Sequence, residues 1–481
     1  MERKPVELIS PGSFDQDAHY YTKVVNAQPH PMVSFFRGLR TDQVINRYCH
    51  LKPNVDPHAL SECIFYKPKY FKWAGVDLFH VATPAGNRHM IVVETNSCPS
   101  GQKSMPQFSF EDEKGCYKHL IKRTFIPFFR GKPDGKIAVF YDKNYTEASG
   151  YAATIADEVN EAVLLVPFYA DEHEHIKLEQ GIYYVHWNHE WVPIKAVFRY
   201  VTQKPWNRIP IKTKTKILNP IISCLAGGRN KIVAAKAYEL FNAYLEGSGL
   251  KIHTPETVCD VGIHEIPFWL ERFGGHAVIK VPYANAGQGV FTITNKSELE
   301  AFMEQDLKYE QFIVQSLIGN SSWSSDTQRG KFYHVGTVPN KSNRIYAADL
   351  RMMGCYGDEG FKPLALYGRR ARLPLPRTLD DALDSWAVLG TNLSIKKADN
   401  HWESDSSRLI LTDYKEFNML GLSFDELIEG YVQLVLAVNA IDRMAINLIN
   451  KKGELKTKLF KSFDNDKQLL KEIEDGNRDS L

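Results

Sequence analysis

The stretch that most constrains this chain is His276–Ile293, HAVIKVPYANAGQGVFTI. From Ala277 it reads as strand, glycine-bearing loop and strand, because β-branched runs flank a polar turn segment. A hairpin of this kind can close over phosphates. Glycine lets backbone N–H groups approach anionic oxygens, and Lys280 on the first strand is a fixed cation. The loop Asn285–Gly289 lacks the spacing and following helix of a Walker loop. An ordinary glycine hairpin with a surface lysine would have the same pattern, so this stretch alone leaves both readings open.

A second hairpin is expected in Gly75–Gln102, where Val76–Phe79 and Met90–Val93 flank the turn residues PAGN. Residues i and i+2 of a strand share a face, so Glu94 and Asn96 project together and Asp77 on the partner strand can join them. Two carboxylates and an amide make a hard oxygen site suited to magnesium on nucleotide phosphates. A polar strand end facing water is the alternative. Further along, Asp349-x-Arg351 lies on one expected strand, with Arg369, Arg370 and Arg372 on the next, around the turn-rich YGDEGF. Planar guanidinium forks on neighbouring strands attract phosphate or carboxylate, or form a solvated charged face.

Between these hairpins, Lys136–Tyr141, Tyr151–Val159 and Ala162–Phe168 read as strand, helix, strand, the unit of a parallel sheet, with DKNYTEASG as a turn. No G-x-G-x-x-G accompanies it, so no dinucleotide site is assigned. Ala235–Leu245 reads as a helix ended by Gly247 and Gly249, and Ser423–Leu448 as a long helix opened by a Ser423/Glu426 capping box. The charged tail from Lys461 is expected to fray. Asp171–His175, DEHEH, has metal-like composition in a solvated loop, and Cys98 has no thiolate-activating neighbours in sequence.

Fifty-nine Lys and Arg against fifty-seven Asp and Glu argue against a dedicated nucleic-acid binder. Seven scattered cysteines without a C-x-x-C pair suit reduced thiols in a cytoplasmic protein. The N-terminus has no apolar signal core, and no window approaches a membrane span.

Taken together, these segments resemble the ATP-grasp carboxylate–amine ligases, of the RimK-like and glutathione synthetase-like branches. HAVIKVPYANAGQGV resembles the phosphate-covering hairpin, FIVQSLIG the hinge that brackets adenine, and YAADLRMMG with ALYGRRARLP the D-x-R and arginine strands. AGVDLFHVATPAGNRHMIVVETNSCPSG resembles the closing metal segment, but it stands early in the chain. A circular permutation accounts for that order. The resemblance implies an α/β (α+β) ATP-grasp fold with a preceding βαβ domain. It divides the chain into a helical or irregular part at 1–70, a metal hairpin at 71–130 and a βαβ domain at 131–230. A lysine and glycine-loop subdomain at 231–320, the remaining core at 321–460 and a tail at 461–481 complete it.

It further implies ATP and Mg2+ as cofactors. Metal would sit on Asp77, Glu94 and Asn96, and nucleotide on Lys236, Lys280, Asn285, Gly287, Gln288, Gly289, Gln315, Ser316, Leu317, Asp349 and Asn392. Lys280 with Arg351 or Arg370 would act in catalysis. Lys231 competes with Lys236, and Glu416-x-Asn418 with the metal segment. Arg199 and Lys103 are candidates for a substrate carboxylate, beside the loop Pro99–Ser104. The implied reaction joins a small-molecule carboxylate to an amine through an acyl phosphate, without nucleic acid or membrane partners. A small-molecule kinase and a non-catalytic nucleotide-binding scaffold are the alternatives, and a homodimer is one open assembly.

Overall fold

The computed structural model describes residues 4–478 except 108–112, 132–133, 170–173, 203–204, 285–288, 308, 329, 380–383 and 397–401. The two apolar runs of the Gly75–Gln102 hairpin extend into β1 (Trp73–Ala82) and β2 (Arg88–Asn96), paired antiparallel. Asp77 stands opposite Glu94, and Leu78 opposite Val92, so a bulge leaves Val93 outside the ladder. Helices over Pro31–Arg37, Thr41–Leu51 and Pro57–Phe65 precede this hairpin.

The next unit is the expected parallel βαβ: β3 (Lys136–Tyr141), α1 (Tyr145–Val159) and β4 (Val163–Pro167). Strand β5 (Glu190–Tyr200) runs parallel to β3 on its other side, within a seven-stranded sheet. Helix α1 starts six residues earlier than its apolar pattern suggests, so most of the segment read as a turn is helical. The reason is burial. Glu147 lies fully buried and accepts hydrogen bonds from five donors, while a Cβ on Gly150 would come within 2.9 Å of the Tyr117 ring.

Helix α2 (Lys231–Tyr244) is likewise longer than read, because the Asn230 side chain caps it by accepting from Val233 N–H. Four short strands then build an antiparallel sheet: β6 (Thr257–Gly262), β7 (Ala277–Lys280), β8 (Val290–Ile293) and β9 (Gln311–Ser316), in the order β6-β9-β7-β8. Strands β10 (Ile345–Gly357) and β11 (Gly360–Arg370) turn at YGDEGF, and β10 lies between β1 and β11. This second seven-stranded sheet sets Arg351 opposite Asp77 and Asp349 opposite Arg369.

Helix α3 (Phe424–Leu448) carries the capping box read from Ser423 and Glu426, and it packs on β2, β10 and α2. Its buried Asp442 accepts from the Tyr66 hydroxyl and from the N–H groups of Lys69, Tyr70 and Phe71, tying the N-terminal helices to the sheet. Up to Arg478 the tail does not fray. Helix α4 (Lys467–Arg478) buries Leu469, Leu470 and Ile473 at helical spacing, and Trp206 Nε1 donates to Glu472 at 2.9 Å. Apart from the buried Glu472, its charged residues outnumber this stripe, which is why composition alone suggested fraying. None of the seven cysteines forms a disulfide, and no helix among the described residues is long and apolar enough to cross a membrane.

Candidate functional site

The four-stranded sheet and the hairpin sheet face each other across a two-lobed cleft. The first lobe holds about 900 Å³ and has apolar walls that include Phe79, Val278, Leu317, Ile318 and Trp386. The second holds about 1040 Å³ and is bounded by α2 and β2, with Arg229, Tyr238, Asn242 and Lys251 among its lining. Both lobes share Val93, Glu94, Lys231, Lys280 and Gln315, so charge concentrates where they meet.

At that junction Lys231 Nζ lies 3.1 Å from Glu94 Oε1. Lys280, only 5% exposed, donates to the Val93 carbonyl at 3.3 Å, the group that the bulge frees from the ladder. Burial drives the Lys280 ammonium down to about 8; Glu94 opposes the shift and Lys231 adds to it. Burial, the largest influence, would raise the Glu94 carboxyl, but Lys231 and Lys280 together hold the group below its ordinary value.

Deeper in the sheet, Arg351 grips Asp77 with two hydrogen bonds of 2.6 and 2.8 Å, and Arg369 reaches Asp77 at 3.0 Å. Arg369 also forks onto Asp349, whose carboxylate accepts from the Thr391 hydroxyl at 2.9 Å. Burial works against the Asp77 anion, yet Arg351 and then Arg369 hold its carboxyl well below the usual range. Asp349 is pushed upward by burial despite Arg369.

Of the residues read as metal ligands, Asp77 and Glu94 line the first lobe, whereas Asn96 lines neither lobe and its buried Nδ2 has no hydrogen-bond partner. Glu94 fits a magnesium ligand, since its one close partner among the described residues is a lysine that phosphate would compete for. Asp77 fits poorly, because both of its oxygens are held in arginine forks.

Among the nucleotide candidates, Lys280, Gln315, Ser316, Leu317, Asp349 and Asn392 line the first lobe. Asn285, Gly287 and Gln288 lie outside the described residues. Gly289 has a φ of +70°, and a Cβ there would meet Val281 at 2.9 Å, so glycine is required. Lys236 sits 3.9 Å from Asp260 on the rim, whereas Lys231 occupies the junction of the lobes. The hinge amide of Leu317 already donates to Ser325 Oγ at 2.6 Å, so the backbone edge that the resemblance assigns to adenine has an internal partner.

Arg370 differs from its neighbour Arg369. Strand alternation turns it to the opposite face, where it lies over the Tyr346 ring at 4.9 Å. The sequence listed Arg369 in the cluster without singling it out. Its position opposite Asp349, two residues before Arg351 on the same strand, is the signal that distinguishes it.

The loop Pro99–Ser104 is held rigidly. Glu147 accepts from the Ser100 hydroxyl and the Gly101 and Gln102 N–H groups at 2.7–2.9 Å, and Arg351 and Tyr367 donate to the Ser100 carbonyl. Sequence reasoning does not single out Glu147, because four of its five donors, all but Tyr151, lie 45–53 residues away. Arg199 is buried and donates to the carbonyls of Asn219 and Val201, and Lys103 is buried near Glu147, so both are structural. Cys98 is buried, donates to the Arg199 carbonyl and has its thiol pushed up to about 11 by burial, which leaves it unreactive. Glu416 pairs with Lys23 at 2.8 Å and caps Leu411 N–H, away from both lobes.

No family model matches the chain, and no curated protein does. Solved structures are similar to it. A glutathione synthetase-like effector from Globodera pallida is 11% identical over 71% of this chain and 85% of its own, at a TM-score of 0.40. A RimK domain ATP-grasp protein from Sphaerobacter thermophilus is 13% identical over 48% of this chain and 90% of its own, at 0.29. D-alanyl-alanine synthetase A from Vibrio cholerae is 11% identical over 48% and 88%, at 0.30. At such scores the functional reading rests on the cleft's own residues. The chain is a mixed α/β protein of several sheets, and the Sphaerobacter thermophilus protein among the structures similar to it is an ATP-grasp protein.

Proposed function

We propose that the cleft binds ATP with magnesium and that the chain joins a small-molecule carboxylate to an amine through an acyl phosphate, releasing ADP and phosphate. The observation that supports this is the meeting of Lys231, Lys280 and Glu94 where an apolar lobe opens into a polar one. The apolar lobe suits a base, and the two lysines suit phosphate oxygens. With phosphates on the lysines, Glu94 would be free to hold magnesium, which would supply charge neutralisation during phosphoryl transfer. Arg351 and Arg369 keep the neighbouring carboxylates neutralised, so the cleft presents net positive charge to the transferring group. No protein nucleophile is needed, because positioning and electrostatics carry phosphoryl transfer. The second lobe, with Arg229 and Lys251, suits the anionic acceptor.

The pairing of β1 with β10 joins the hairpin of Asp77 and Glu94 to the arginine strands in one sheet, which supports a metal role for that hairpin. On this reading the chain is a permuted ATP-grasp core, with its metal hairpin at 71–130, a βαβ domain at 131–230 and the grasp lysines at 231–320.

The test is magnesium-dependent ADP release with pooled carboxylates and amines, followed by identification of the product. An amide supports the ligase; a phosphorylated hydroxyl would make the chain a kinase, and absence of ATP binding would end the reading. Two outcomes follow from the geometry. Lys231→Ala is expected to weaken ATP binding by about 10–100-fold, the scale of a charged hydrogen bond, and Lys236→Ala less than about threefold, measured by calorimetry. Nucleotide affinity is also expected to fall as pH rises through about 8, where the free Lys280 ammonium loses its proton while the phosphate-bound form retains it. In Lys280→Arg that fall should disappear, since guanidinium stays charged.

A further inference from the structure

Behind the second lobe, three metal-ligating side chains converge from separate elements. His89 comes from β2, His253 from the segment ahead of β6, and Glu429 from the second turn of α3. One ligand atom from each lies within 4.8 Å of the other two. His89 Nδ1 is 3.7 Å from Glu429 Oε1, and it is buried without a hydrogen-bond partner. The two imidazole rings lie 5.0 Å apart and tilted by 37°.

We propose that His89, His253 and Glu429 form a binding site for a divalent transition metal of the zinc class, separate from the nucleotide cleft. Two imidazoles and a carboxylate are a zinc-type donor set that leaves a fourth position for water. Tetrahedral ligands stand about 3.4 Å apart, so closing the site needs side-chain shifts of about 1 Å. The backbones behind the ligands are already fixed. His89 is in the β1–β2 ladder opposite Val81, and the His253 carbonyl accepts from Val92 N–H at 2.8 Å. Gln433, one turn beyond Glu429, accepts from His253 N–H at 2.8 Å and donates to the Lys251 carbonyl at 2.9 Å. Such outer partners orient ligands and tune affinity.

The charges around the site also suit a cation. Glu429 is 7% exposed, and its close cation is Lys52, 3.5 Å away on a side chain that is one-third exposed and free to swing aside. The nearby His80, Arg88 and Glu426 form a separate group one turn earlier on α3. A metal here would bolt β2 to α3 and to the segment ahead of β6, whose Thr254 lines the second lobe.

The test uses the full-length protein, stripped with a chelator and titrated with Co2+ and then Zn2+, read by visible absorption and calorimetry. The expected result is one Co2+ per chain with the intense bands of four- or five-coordination, displaced by Zn2+. His253→Ala and Glu429→Gln should each weaken Zn2+ binding at least about 100-fold, Lys52→Met should tighten it, and Glu94→Gln should leave it unchanged. Absence of stoichiometric Co2+ binding by the wild-type chain would overturn the site. So would binding that survives His253→Ala or is lost with Glu94→Gln. Circular dichroism shows that each variant is folded, and the wild-type titration decides the matter even if a variant is not.

Discussion

Glu94→Gln should lower magnesium-dependent ADP release by about 10²–10³-fold, the scale seen when one stabiliser of transition-state charge is removed. The carboxylate side chain is 32% exposed, lines both lobes, and pairs with Lys231 at 3.1 Å. An amide keeps the shape and loses the charge, so Lys231 would be left without its counter-ion and magnesium without its ligand. Binding of ATP without magnesium should survive or improve, because a negative group facing the phosphates has been removed. Glu416→Gln is the matched comparison. Its carboxylate pairs with Lys23 and accepts from Leu411 N–H, so it should change stability slightly and turnover less than twofold. Equal turnover in wild type and Glu94→Gln would remove magnesium from the junction and with it the proposed chemistry.

Arg369→Met should destabilise the fold by about 3–5 kcal/mol, the cost of leaving buried charge uncompensated. Arg369 is 4% exposed, forks onto Asp349 and also reaches Asp77. Methionine fills much of the volume, so the loss is electrostatic rather than a cavity. Urea unfolding measures it. Adding Asp349→Asn should recover part of the loss, because the carboxylate left unpaired is the one removed, and the double-mutant cycle isolates that coupling. Arg370→Met, on the other face beside Tyr346, should cost less than about 1 kcal/mol. Similar losses from the two arginines would contradict the strand register.

Much of the framework was legible because its signals are local. Hydrophobic runs bounded by turn residues marked both hairpins, the βαβ unit and β9, and Ser423 with Glu426 marked the start of α3. Errors fell where a polar segment is satisfied by distant partners. The first turns of α1 read as a turn because Glu147 looks solvated, yet its donors come from Ser100, Gly101, Gln102, Tyr151 and Tyr200. The tail read as frayed because its charges outnumber its apolar residues, although three of the latter share one buried stripe.

The sequence by itself determined which residue types could meet phosphate and magnesium: a strand lysine beside glycines, a D…E-x-N hairpin, and arginines on adjacent strands. Composition and spacing suffice for that, because charge and backbone alternation are properties of short segments. Which of them meet was decided only in three dimensions. Helix phase brought Lys231 and not Lys236 to Glu94, and sheet register brought Arg369 and not Arg370 to Asp349. The β1–β10 pairing placed Arg351 on Asp77, turning an expected metal ligand into half of a buried ion pair. A shift of one residue in a strand, or of a turn fraction in a helix, redirects a side chain by many ångströms, and nothing within a single segment fixes that phase against another.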